Sequence, residues 1–238
     1  MIPLLLIAAG LLAVGAGWWL MRGLGPGARV GRILAVTRVV PIAEAVAAAH
    51  ADARRYVGVL GRVDAEQPWE DEHHRPLVLQ RTRLELRRGG RWVAFEDHRR
   101  SVPFEISEGL DRIAVDETEL DEGLVVVTRE SVGTAADLGD RVPPGTDAAA
   151  PARLRLDLVT AVDHALVVGV PVLDPERGPI MRAGMGRPLI LTNLETAEAI
   201  RLLAEGRTGT TRAISLLLGG GVAMVLAGIA WMVVDAIV

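Results

Sequence analysis

Two uncharged apolar stretches bracket this chain and constrain it more than anything between them. Residues 2–21 (IPLLLIAAGLLAVGAGWWLM) and 213–234 (AISLLLGGGVAMVLAGIAWMVV) carry no charged side chain. A helix of about twenty residues, rising ~1.5 Å at each, reaches ~30 Å, the hydrocarbon thickness of a bilayer. Each stretch is therefore expected to be a transmembrane helix. Trp18, Trp19 and Arg22 end the first, and Trp231 and Asp235 end the second, in the pattern of interfacial indoles followed by a charge. Only Met1 precedes the first run, so it lacks the basic start and small-residue cleavage site of a leader and is expected to stay as an anchor. Gly10, Gly15 and Gly17 in one stretch, and Gly219, Gly220 and Gly221 in the other, offer places where two helices can approach closely.

The charges beside these stretches suggest an orientation. Arg22, Arg29 and Arg32 follow the first, Arg201, Arg207 and Arg212 precede the second, and the outer tails have no arginine. The positive-inside rule then leaves both tails outside and the middle domain in the cytoplasm. The expected localisation is a multi-pass membrane protein with two spans and a cytoplasmic soluble domain.

Residues 22–212 read differently. Strand candidates fall at 56–63, 76–86, 91–95, 101–106, 112–115, 123–128, 165–172 and 188–191. Helices are expected at 42–53, with Pro41 in its first turn, and at 194–205, stopped by Gly206. Within 76–86, Val78, Thr82, Leu84 and Leu86 point one way and Arg81, Arg83 and Glu85 the other, the alternation of a half-buried strand. Gly89-Gly90 marks a hairpin turn. Residues 134–152, rich in Ala, Pro, Gly and Asp, read as a mobile loop. The fold class expected is an α+β membrane protein: two transmembrane helices flanking a strand-rich soluble domain with short helices next to the membrane.

Several chemistries are excluded outright. All 26 basic residues are arginine, so no Schiff-base or Walker-type lysine exists. There is no cysteine, which removes disulfides, thiolates, iron–sulfur clusters and Cys-based zinc sites. A net charge of −4 gives no electrostatic footprint for nucleic acid.

What remains are clusters of weaker meaning. Glu70-Asp71-Glu72-His73-His74 places carboxylates beside imidazoles, and Glu72, His73 and His74 are the candidate metal ligands; the competing reading is a solvated turn. Arg75, Arg81, Arg83, Arg87, Arg88, Arg91, Arg99 and Arg100 form a dense basic run. Its outer members Arg81, Arg83, Arg87 and Arg88 are candidates to face anionic lipid or a protein partner, or simply to be the charged side of a hairpin, paired with the acids between 105 and 122. Asp163-His164 with Ser107 or Ser131 lacks both a nucleophile elbow and the spacing of a triad. Gly184-Met185-Gly186 reads as a turn, and His50 as a surface residue of its helix. No catalytic residue and no cofactor is expected.

The order of these motifs resembles a known family. YVGVLGRV at 56–63, the strand 76–88, Trp92 and Ser101-Val102-Pro103-Phe104, then Leu166-Val167-Val168-Gly169, Val172-Leu173-Asp174 and Gly186-Arg187-Pro188-Leu189, are similar to the GIDE domain, also called the beside-a-membrane domain, of MULAN-type mitochondrial E3 ubiquitin ligases. The similarity covers roughly residues 33–234. It implies a membrane-flanked β-rich domain. The family's ligases also carry a RING finger whose Cys and His residues bind zinc; with no cysteine here, none of those residues can be carried over. The expectation is a partner-binding or sensing module without catalysis of its own, its partners the lipid bilayer and a protein. The alternative is a component of an E3 ubiquitin ligase acting with a separate RING protein.

Overall fold

The chain divides into two units, residues 1–32 with 200–238 and residues 33–199. The structure is a computed structural model that describes residues 2–22, 26–121, 123–205 and 208–237. Its helices are α1 (Ile2–Arg22), α2 (Pro26–Val36), α3 (Ile42–His50), α4 (Thr196–Glu205) and α5 (Thr208–Ile237).

In the first unit α1 packs against α5. A Cβ built on Gly10 would lie 2.7 Å from the Gly221 carbonyl oxygen, and one on Gly221 would lie 2.8 Å from the Gly10 carbonyl oxygen. Only a residue without a side chain lets the two backbones approach this closely. Away from that seam, Leu12, Trp19 and Leu226 are exposed.

The expected membrane crossings are overturned here. Among the described residues, no helix is long and apolar enough to cross a membrane. Both apolar stretches are helical, the first within α1 and the second within α5. The transmembrane helices at 2–21 and 213–234 are therefore corrected to a glycine-seamed helix pair. The two-span membrane localisation, with its cytoplasmic placement of the middle domain, rested on those spans and falls with them.

The second unit holds the strands: β1 (Val57–Asp64), β2 (Trp69–Glu70), β3 (Pro76–Arg88), β4 (Arg91–Ser101), β5 (Phe104–Glu108), β6 (Asp111–Val115), β7 (Leu124–Val125), β8 (Arg129–Thr134), β9 (Pro151–Thr160), β10 (His164–Asp174), β11 (Gly178–Arg182) and β12 (Ile190–Thr192). Five of them close into a barrel, in the order β1-β5-β6-β11-β10 and back to β1. Every pairing around it is antiparallel except β6 with β11, where Ala114 lies beside Ile180. Numbered along the chain as barrel strands, the order is 1-2-3-5-4-1 with the third and fifth parallel. That is the strand order of the five-stranded Greek-key barrel of OB type. β12 and then β7 continue the sheet beyond β10.

Alternation along β1, β5 and β6 fills this barrel, while β10 is buried on both faces from Ala165 to Pro171. In β1, Val59, Gly61 and Val63 are buried while Leu60, Arg62 and Asp64 are exposed, as a two-residue side-chain period requires. Val59, Val63, Ile106, Ile113, Val115 and Val167 meet in one core. Ile42 and Ala45 of α3 join that core, and the helix packs against β1, β6, β10 and β11. Pro41 stands at its N-cap, where a missing N–H costs nothing.

Insertions into two barrel connections build a second sheet, ordered β2-β3-β9-β8, with β4 on the other side of β3 from β9. Gly89 and Gly90, at φ 56° and 80°, make the tight turn between β3 and β4. Thr82, Leu84 and Leu86 are buried on one face. Residues 134–152 are not a free loop. Thr134 and Asp137 form a capping box over a 3₁₀ segment (Ala135–Arg141), and Ala135 and Ala136 donate their N–H groups to the carbonyls of Ala150 and Ala148 at 2.8 and 3.0 Å. This segment lays Ala135, Leu138 and Val142 against Leu86, Phe95 and Ala152. The apolar side of the inserted sheet needed a cover, and the Ala-rich stretch supplies it.

Candidate binding pocket on the barrel wall

The residue 70–75 loop is a hydrogen-bonded turn built around Asp71. Its Oδ1 accepts the backbone N–H groups of His73 and Arg75, both at 2.9 Å, and its Oδ2 accepts Arg75 Nε at 2.8 Å. The Arg75 guanidinium, helped by those backbone donors, holds the Asp71 carboxyl far below the usual carboxylate range. Glu72, His73 and His74 all stand exposed. His74 Nδ1 lies 3.1 Å from Glu70 Oε2. Among the described residues, no group of three His, Cys, Asp or Glu side chains is placed to hold a metal ion.

The hydrolase set is not assembled either. The Asp163 carboxylate accepts from Thr160 N–H at 3.1 Å, Thr160 Oγ1 at 2.7 Å and Asn193 Nδ2 at 3.1 Å. Ser107 and His164 sit on either side of Arg62 in the barrel ladder, two strand spacings or ~9.6 Å apart. Ser131 belongs to the other sheet. Gly184-Met185-Gly186 is a turn, closed by reciprocal backbone bonds between Gly184 and Arg187.

The four candidate arginines divide into two pairs. Arg81 and Arg83 are engaged within the inserted sheet: Arg81 donates to both oxygens of Asp97 at 2.9 and 2.7 Å, and Arg83 reaches Asp157 at 3.0 Å. Arg99 pairs with Asp121 at 3.4 Å, and Arg153 pairs with Glu85 and Glu130 while stacking over Trp92. The charged face is thus compensated by its own carboxylates. Arg87 and Arg88, at the hairpin end, are exposed and make no ion pair among the described residues.

A concave site that sequence reading missed lies on the barrel wall. It has a volume of about 360 Å³ and is bounded by the end of β1 and the start of its outgoing connection (Asp64, Glu66), by β5 and β6 (Phe104, Glu105, Arg112), and by Arg177 of the β10–β11 hairpin. The ladder sets Asp64 directly opposite Glu105. Arg112 pairs with Glu105 at 3.0 Å. Arg177, also in the lining, donates to Glu117 at 2.9 Å and to the Val115 carbonyl at 3.0 Å. Asp64 and Glu66 have no ion-pair partner among the described residues, so the pocket presents free negative charge. Nothing local in the sequence signals it, because its walls come from four segments that only barrel closure brings together. Comparison of the chain with protein-family models, with curated proteins and with solved structures gives no match.

Proposed function

We propose that this chain is a non-catalytic, GIDE-like binding module whose barrel receives a basic segment of a partner protein. The observation that carries this reading is the position of the pocket. It occupies the wall formed by the second and third barrel strands, between the connection after the first strand and the hairpin joining the fourth and fifth. That is where barrels of OB type take their ligands. Fold likeness alone does not name the ligand, so its chemistry must come from the lining. Two uncompensated carboxylates, and a third directly across the ladder from one of them, favour a guanidinium or ammonium group and repel a nucleic-acid backbone. The reading as a ubiquitin-ligase component rests on the resemblance alone and has no residue of this pocket behind it.

Titration of the protein with a short oligo-arginine peptide and with an oligo-glutamate peptide tests the proposal. Binding of the basic peptide is expected, weakened at least tenfold in Asp64→Asn/Glu66→Gln. Equal affinity in that variant, or preference for the acidic peptide, overturns it.

A further inference from the structure

β4 is an eleven-residue strand with one edge on β3 and, among the described residues, no strand on the other. Such an edge is a template for another strand unless its side chains forbid pairing. A charged edge usually forbids it, so the outcome depends on register.

Symmetry restricts the registers. In an antiparallel ladder, opposing residues alternate between hydrogen-bonded and non-hydrogen-bonded pairs. A two-fold axis makes the pair i with j′ the same kind as j with i′. Two copies of one strand can therefore meet only with some residue facing its own copy. The ladder of β4 shifts at Phe95, which leaves Glu96 to Ser101 as its regular stretch. Centring on Glu96, Asp97, Arg99 or Arg100 sets identical charges face to face. Centring on His98 does the opposite: Asp97 meets Arg99′, Glu96 meets Arg100′, and each pair occurs twice.

We propose that β4 pairs antiparallel with β4 of a second copy of this chain, centred on His98, to join two inserted sheets into one. Glu96 already pairs with Arg141 and Asp97 with Arg81 of their own chain, so the second copy's arginines would join carboxylates that are in use. His98 is exposed, and so is Asp97, at 39% of its side chain. Arg99 lies across from Arg81 of its own chain, so its nearest strand neighbour repels it. The partner's Asp97 adds a carboxylate to the Asp121 side chain and the Glu117 carbonyl that Arg99 already has. The charges then run Arg81–Asp97–Arg99′–Asp121′ across the junction, extending the ion pairs each copy already has.

The lack of cysteine makes the test clean. In this register the two residue-98 Cα atoms lie ~4.5–5.5 Å apart, within disulfide reach, whereas the two residue-101 Cα atoms lie ~20 Å apart. Under mild oxidation the full chain carrying His98→Cys is expected to form a disulfide-linked dimer, and Ser101→Cys is not. Association through any other surface would not discriminate between these positions. In the His98→Cys background, Arg100→Glu is expected to lower the crosslinked fraction several-fold, and adding Glu96→Arg is expected to restore it. That rescue cannot come from the stacking of Arg100 on Trp69, which both variants lack. Failure of His98→Cys to crosslink, equal crosslinking at position 101, or absence of rescue overturns the proposal.

Discussion

Arg83 does not pair with the residue opposite it. The ladder places Arg155 across from it on β9, yet its guanidinium reaches diagonally to Asp157, 3.0 Å away. Arg81, which does face Asp157, turns the other way to Asp97 on β4, at 2.7 Å. On its other side Arg83 faces Asp97 of β4, so the two arginines exchange the carboxylates that lie straight across from them. The diagonal exchange gives each of these β3 arginines its own carboxylate and ties three strands together.

The two halves of that exchange differ in worth. The Asp157 side chain is only 8% exposed and also accepts Thr128 Oγ1 at 2.5 Å, whereas Asp97 is 39% exposed. Asp157→Asn strands a largely buried guanidinium and is expected to cost ~2–4 kcal/mol, somewhat below a fully buried pair because a quarter of the Arg83 side chain is open to water. Asp97→Asn is expected to cost ~1 kcal/mol or less. Urea unfolding at constant m value measures both, and a reversed ranking would contradict this account.

The barrel core makes a second prediction. Ile106 is completely buried among residues of β1, β6 and β10, whereas Leu60, on the outer face of β1, is 53% exposed. Ile106→Ala leaves a cavity in a closed barrel that cannot collapse without breaking ladder bonds, and is expected to cost ~2–5 kcal/mol. Leu60→Ala is expected to stay within ~0.5 kcal/mol of the parent. Equal denaturation midpoints for the two variants would mean that the barrel interior is not where the stability lies.

Local periodicity carried part of this structure in plain sight. The alternation of Thr82, Leu84 and Leu86 against Arg81 and Arg83 is the buried and charged faces of β3, whereas Glu85 is itself buried and Leu77, Val78 and Leu79 are buried in succession beside a register shift. The Gly89-Gly90 turn and α3 behind Pro41 were equally visible, because each depends on a few adjacent residues. Closure was not visible. It rests on β1 meeting β10, with Val59 beside Val167, and no short window contains both. The same distance hid the partners of the arginine run: Arg83 and Asp157 are 74 residues apart. It also hid the pocket, since Asp64, Arg112 and Arg177 become neighbours only when the barrel closes. The expectation that failed, two membrane crossings, came from counting uncharged residues. Residue count fixes a maximal helix length and says nothing of what the helix packs against, here a glycine seam between Gly10 and Gly221.

That seam yields a third prediction. A β-carbon at position 10 would press on the Gly221 carbonyl and on Val225, both 2.7 Å away, so Gly10→Val forces α1 and α5 apart. Amides of both helices are expected to lose protection from hydrogen exchange, while those of β1 and β10, in the other unit, keep theirs. At Gly15 an added Cβ meets nothing within 4 Å, and Gly15→Val is expected to leave exchange in both helices near that of the parent. Identical exchange for the two variants would remove the seam as the contact between these helices.

Acid should weaken the fold through a definable set of carboxylates. Burial pushes Asp116 upward, but the Thr118 hydroxyl at 2.5 Å, the Thr118 N–H at 3.2 Å and Arg182 Nε at 2.9 Å outweigh it, and the group titrates below the usual range. The backbone N–H groups of Arg177 and Glu176 hold Asp174 low, and the Arg81 guanidinium does the same for Asp97. Each folded-state pKa lies beneath its unfolded value of ~3.9. The stability these groups lend is therefore complete above that value and drains away as pH falls through the folded values. Urea midpoints are expected to hold steady from pH 7 to about 5 and to drop between about 4 and 2. Asp116→Asn lowers stability at pH 7 but has no proton to take up, so its own loss on acidification must be smaller than the parent's. An equally steep acid loss in that variant would remove Asp116 as a contributor and shift the burden to Asp97 and Asp174.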